Sequence, residues 1–279
     1  MEKITIGFSS CPNDTFIFDA LLHNKIDTQG LQFIPHIADV EELNHMAIEG
    51  TLACTKMSFF AFLHSFAQYH ILDSGSALGY KNGPLFICSQ HNTKNINTHS
   101  RIALPGKHTT AHLLFSIAYP EYTNKMFMQF SDIEHAIQSG EADAGVIIHE
   151  NRFTYAQRGF EAICDLGNYW EQHTHSPIPL GCIATHKHIP LSIAQKINSL
   201  IQESILYARA HPAEAMPFIQ KHAQNLSPEI IEKHIALFVN DFSIHLQNKG
   251  KQAIYTLITK AVDTGIIPPV SSDSLFLNP

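Results

Sequence analysis

Charge is scarce in this chain. Asp, Glu, Lys and Arg make up 15% of its 279 residues, while 44% are hydrophobic, a balance that excludes a disordered chain and allows a sizeable core. Acidic residues outnumber basic ones by 25 to 18, a formal net charge of −7. An acidic body of this kind does not recruit nucleic acid or a membrane surface. Cysteine is sparse and unpatterned: Cys11, Cys54, Cys88, Cys164 and Cys182 are odd in number and contain no C-x-x-C pair, so they read as reduced thiols of a cytoplasmic protein. Apolar runs are short and interrupted, so no membrane span is expected. Met1-Glu2-Lys3 runs straight into Ile4, Ile6 and Phe8 without the apolar core or cleavage site of a secretory signal. Nucleotide fingerprints are missing too. Gly75, Gly79 and Gly83 do not make G-x-G-x-x-G, and Gly106-Lys107 lacks the G-x-x-x-x-G-K-[ST] frame, so no nucleotide cofactor is specified.

Histidine is the abundant exception, with 19 residues against 18 Lys plus Arg. His173-x-His175 and His186-x-His188 have ligand-like spacing, but a metal site needs a third and fourth ligand and neither pair signals one. Histidine used as a polar side chain facing water is the plainer reading, and no metal is expected. An anionic ligand in so acidic a protein would need local help from helix N-termini or one or two lysines.

Short strands alternate with helices along the first two thirds of the chain. Lys3–Phe8, Leu31–Ile37, Ala53–Met57, Leu85–Ser89, Ile102–Leu104, Ala144–His149, Ala162–Leu166 and Leu180–Thr185 read as strands. Helices are expected from Thr15, after Asp39, from Ser58, over Ala111–Ile117 and over Ile133–Ser139. From Leu191 to Asp263 the pattern is mostly helical. Repeated strand–helix units predict an α/β fold with mainly parallel sheets covered on both faces. The restart near residue 90 and the return to long helices after residue 185 predict two lobes around a cleft. The larger, discontinuous lobe takes residues 1–88 and 182–279, and an inserted lobe takes 89–181.

In open α/β sheets ligands bind beyond the carboxyl ends of strands, where helix N-termini offer free N–H groups. Four such ends carry chemistry here. Ser9-Ser10-Cys11-Pro12-Asn13-Asp14-Thr15 places small polar side chains before a helix; it serves as a plain cap or as part of a site, and Cys11 as a nucleophile would need a base that the sequence does not show. Thr55-Lys56-Met57-Ser58 sets a lysine and a hydroxyl at a strand–helix junction, either an anion contact or a solvated lysine beside a cap. Pro105-Gly106-Lys107-His108-Thr109-Thr110-Ala111 is a glycine turn into a helix. Gly145-Val146-Ile147-Ile148-His149-Glu150 aims an imidazole off the end of an apolar strand, as a general base or as a structural histidine.

Those four stretches, continued through Phe16-Ile17-Phe18 and Asn151-Arg152-Phe153-Thr154-Tyr155, and joined by Pro179-Leu180-Gly181-Cys182-Ile183 and Tyr207-Ala208 with Ala210-His211-Pro212, resemble the 1,4-dihydroxy-6-naphthoate synthases of the futalosine route to menaquinone. The similarity runs in order through nearly the whole chain. It implies a two-lobed fold like the type II periplasmic binding proteins and a lyase that splits cyclic dehypoxanthinyl futalosine without a cofactor. It further implies that His149 is the proton acceptor and that Lys56, Met57, Ser58, Thr110 and Ala111 line the ligand site, with Asn44 on the facing helix and Ser10 before the Cys-Pro pair. The alternative, a non-catalytic binding protein for a small anion, shares the expected fold; the absence of a secretory signal speaks against it.

Overall fold

The computed structural model describes residues 2–223, 225–270 and 275–277. Its strands are β1 (Glu2–Phe8), β2 (Leu31–Ile37), β3 (Cys54–Ser58), β4 (Tyr69–Ile71), β5 (Ala77–Gly79), β6 (Leu85–Ser89), β7 (Ile102–Leu104), β8 (Lys125–Phe127), β9 (Ala144–Ile147), β10 (Phe160–Asp165) and β11 (Ile178–His186). Between them lie α1 (Pro12–Leu22), α2 (Val40–Glu49), α3 (Phe59–Ser65), α4 (Thr110–Ala118), α5 (Ile133–Gln138) and α6 (Leu166–Thr174). After β11 come α7 (Leu191–Ala210), α8 (Pro212–His222), α9 (Pro228–Phe238), the short α10 (Asp241–Ile244) and α11 (Gln247–Asp263). Among the described residues no helix is long and apolar enough to cross a membrane.

The strands form two sheets. The first has the order β2-β1-β3-β11-β4, with β5 also paired to β11; the second has the order β10-β6-β9-β7-β8. Both are mixed, which corrects the expectation of mainly parallel sheets. Only β1 with β2 and β3, and β7 with β8 and β9, run parallel. The physical reason lies in the connections. Parallel neighbours need a helical crossover, and the chain has one after β1, β2 and β7. It enters β6 straight from the first sheet and β11 from the second sheet by way of α6, so neither strand follows a crossover within its own sheet, and they run antiparallel to β9 and β3.

Local sequence accounts for the elements that frame the site. In β1, Ile4, Ile6 and Phe8 are buried while Glu2, Lys3 and Thr5 are exposed, the alternation of a half-covered strand. Pro35 sits in β2, at the edge of its sheet, where a missing N–H costs no ladder bond. Asp39 caps α2 by accepting from the Glu41 N–H at 2.9 Å, and Gly50 ends that helix at φ 72°, a left-handed turn that favours glycine. The strand expected over Ala144–His149 stops at Ile147, because His149 itself adopts φ 58° and opens a short 3-10 turn.

Three apolar clusters hold the layers together. One packs Phe8, Phe16 and Ile17 against Ile197, Ile201 and Ile205 of α7. A second joins the two sheets: Phe62 and Tyr69 share it with Phe86, Phe115 and Trp170. A third covers the other face of the second sheet with Ile133 and Ile137 of α5. Each large side chain fully buried in this way stabilises the fold by about 1.5–3 kcal/mol.

The chain passes between the sheets after β5 and again after β10, and the two passages touch. Leu166 donates its N–H to the Pro84 carbonyl at 3.0 Å. A Cβ on Gly83 would lie 2.3 Å from the Gly167 Cα, so only glycine fits where the backbones cross. Gly83→Ala is therefore expected to destabilise the protein by about 1–3 kcal/mol through overpacking, read as a lower urea midpoint at an unchanged slope.

Candidate active site

A cavity lies between the two sheets, lined from the first by Ser9, Asn13, Asp14, Lys56, Met57 and Ser58, and from the second by Thr109, Thr110, Ala111, Ile148 and His149. Leu180 and Gly181 of β11 and Phe238 at the end of α9 complete the wall. The contributing segments follow β1, β3, β7 and β9, so all four strand ends singled out in the sequence converge.

The floor is a buried polar network. Asp14, in the first turn of α1, is 2% exposed. Its Oδ2 accepts from the Ser9 hydroxyl at 2.7 Å and the Ser9 N–H at 3.2 Å, and its Oδ1 accepts from Asn13 Nδ2 at 2.8 Å. Lys56 Nζ stands 3.4 Å from Asp14 Oδ1 and donates to the Gly75 carbonyl at 2.7 Å. The lysine expected to supply free positive charge thus has that charge offset by a carboxylate.

Asn44 is fully buried and does not line the cavity. Its Oδ1 accepts from the Ser58 N–H at 2.9 Å and its Nδ2 reaches Ser58 Oγ at 3.2 Å, so it orients Ser58 from behind. Thr110 likewise faces inward with its hydroxyl engaged, donating to the Leu180 carbonyl at 2.7 Å and accepting from the Phe60 N–H at 3.4 Å. The first turn of α4, capped by Thr109, instead offers the N–H groups of Thr110 and Ala111, which have no intrahelical acceptor. Ser10 is exposed and outside the cavity wall; its neighbour Ser9 occupies the position that faces inward.

His149 is half-buried on the opposite wall. Its left-handed φ of 58° is uncommon for a side-chain-bearing residue, the kind of strain that clusters at functional sites. Its Nδ1 lies 3.5 Å from Cys11 Sγ, a partnership across 138 residues that no local pattern announces. Burial, reinforced by Glu150 and Asp14, pushes the Cys11 thiol well above its usual range. The thiol is therefore neutral, which argues against the nucleophile reading and leaves Cys11 to hold the imidazole.

Behind His149 stands His234, fully buried, its ring parallel to that of His149 within 17° at 6.1 Å. Its Nε2 contacts Asn13 Oδ1 at 3.0 Å, and its Nδ1 is 3.7 Å from Glu150 Oε2. Burial and the neighbouring His149 hold His234 well below the ordinary imidazole range. Sequence reasoning missed His234 and Phe238. Their only signal was a place on the apolar stripe of α9 with Ile231, which a core residue shares. Neither His173 nor His186 with its spaced partner gains a third ligand among the described residues.

A protein-family model described as "Menaquinone biosynthesis" matches residues 4–263. The chain belongs to this family. It is 38% identical to the 1,4-dihydroxy-6-naphthoate synthase of Thermus thermophilus over 269 residues, covering 96% of this chain and 97% of the relative. Identity to the synthase of Streptomyces coelicolor is 33% over 282 residues, 98% of each chain. Its fold is that of the periplasmic binding proteins: the alkanesulfonate-binding protein SsuA of Xanthomonas axonopodis pv. citri, solved with MOPS bound, superposes with a TM-score of 0.70 at 12% identity, covering 96% of this chain and 95% of the other. The member described here is an enzyme of menaquinone biosynthesis.

His234 sets a testable pH dependence. Below about pH 6.5 the unfolded chain binds a proton on this imidazole that the folded chain refuses, so stability falls as the pH drops. Urea unfolding from pH 7.5 to 5.5 is expected to show that slope, and His234→Gln to flatten it whatever its effect on absolute stability.

Proposed function

We propose that this enzyme is a lyase that converts cyclic dehypoxanthinyl futalosine to 1,4-dihydroxy-6-naphthoate, with His149 as the general base. The observation that carries this reading is His149 on the cavity wall, its Nδ1 turned to Cys11 at 3.5 Å. With the proton on Nδ1, Nε2 keeps the free lone pair and is the atom that takes a proton from the substrate. The electron pair released by that proton builds a new double bond, and the bond to the sugar-derived portion breaks with its pair leaving on that portion. Aromatisation of the ring drives the step forward.

The start of α4, on the same side as His149, and the facing wall supply orientation. The N–H groups of Thr110 and Ala111 at the start of α4 receive the substrate's anionic or hydroxyl oxygens, helped by the positive end of the helix. Ser58, held by Asn44, adds a hydroxyl on the facing side. Lys56, balanced by Asp14, contributes a fixed dipolar pair rather than a free cation. Phe238, Met57 and Leu180 give the apolar surface that a fused-ring substrate needs.

Purified protein incubated with cyclic dehypoxanthinyl futalosine is expected to release 1,4-dihydroxy-6-naphthoate, followed by chromatography. Binding of the substrate without product would replace this reading with that of a binding protein. His149→Asn is expected to abolish turnover while substrate affinity stays within about tenfold, as for a group acting mainly in the transition state. Full activity in that variant would remove His149 from the base role.

A further inference from the structure

Glu41, near the start of α2, reaches out of the first sheet's layer and onto the second. Its Oε1 accepts from the His108 N–H at 2.9 Å and lies 3.2 Å from His108 Nδ1. Its Oε2 accepts from Asn44 Nδ2 at 3.0 Å. One helical turn on, His45 brings Nε2 to 3.5 Å from the same Oε1. One ligand atom from each of Glu41, His45 and His108 lies within 4.8 Å of the others.

We propose that Glu41, His45 and His108 form a binding site for a divalent cation of the zinc class, joining α2 to the loop that precedes α4. Three observations carry it. First, the spacing fits: ligands around a tetrahedral zinc with bonds near 2.0–2.1 Å stand about 3.3–3.4 Å apart, close to the 3.2 and 3.5 Å separations at Glu41 Oε1. Second, the donor set of two imidazoles and one carboxylate leaves a fourth position for water, and the His45 side chain is 56% exposed, which provides an entry path. Third, the carboxylate is already oriented by the Asn44 amide and the His108 N–H, the outer-shell support that metal ligands generally have.

The rings of His45 and His108 meet at 75° with centroids 5.2 Å apart, and His64 packs edge-on against His108 from α3. An ion here ties the two sheets' layers together beside Val40, Leu43 and Thr109, which line the cavity. Occupancy therefore opposes separation of the cavity walls. The site lies outside the cavity and does not depend on the reaction proposed above.

The test uses the full chain, stripped of metal with a chelator and titrated with Zn²⁺ at pH 7.5 in competition with a chromophoric chelator. One zinc per chain is expected at this site, with an X-ray absorption spectrum of nitrogen and oxygen ligands and no sulfur. His45→Ala is expected to weaken that binding at least tenfold without shifting the metal-free melting temperature, and His108→Ala to do the same. His149→Asn, which breaks the cavity's own Cys11–His149–Glu150 cluster, and His188→Ala are expected to leave it unchanged. Equal zinc affinity in wild type and His45→Ala, or loss of binding in His149→Asn instead, would overturn the assignment.

Discussion

The buried pair of Asp14 and Lys56 is the interaction on which the site depends. Two opposite charges, 2% and 7% exposed, sit where α1 begins and where β3 nears its end. Removing either partner would strand the other in the interior, a cost of about 3–5 kcal/mol. The pair is tolerable because neighbouring polar groups satisfy it: the Ser9 hydroxyl and the Asn13 amide donate to Asp14, and the Gly75 carbonyl accepts from Lys56. Their common effect is to fix the Ser9–Asp14 turn. That turn carries Cys11 to His149 and Asn13 to His234, so the wall of one sheet is positioned from the floor of the other.

The electrostatics of the cavity differ from what the sequence suggested. Free cationic charge is not what the cavity presents, since Lys56 is balanced within its own network. What it presents is a helix start whose N–H groups point at a space flanked by apolar surface. A neutral thiol and a neutral buried imidazole surround His149, and neither competes with it for a proton. The fold shared with solute-binding proteins gives the cavity, and a histidine in the left-handed backbone region stands on its wall.

Much of the fold could be read from local pattern. Strands such as Leu31–Ile37 and Ile102–Leu104, and the cap at Asp39, follow from alternation and capping chemistry within a few residues. The four polar strand ends were legible for the same reason. Sheet direction was not, because a strand's residues do not state whether it was reached from its own sheet or from the other one. Helix α6 was also missed; its Gly167-Asn168 start lowers helical propensity, and its packing of Trp170 into the core decides the matter.

By itself the sequence determined the element types, the family resemblance and the small set of residues from which a site had to be built. Only the tertiary structure decided which of them meet. It brought His149 to Cys11, turned Ser9 rather than Ser10 inward, placed Asn44 behind Ser58 and neutralised Lys56 with Asp14. Each of these depends on contacts between side chains that are distant in sequence, or on one residue's backbone angle. Periodicity carries information over a turn or a strand, while the convergence of groups more than a hundred residues apart is fixed by how the layers pack.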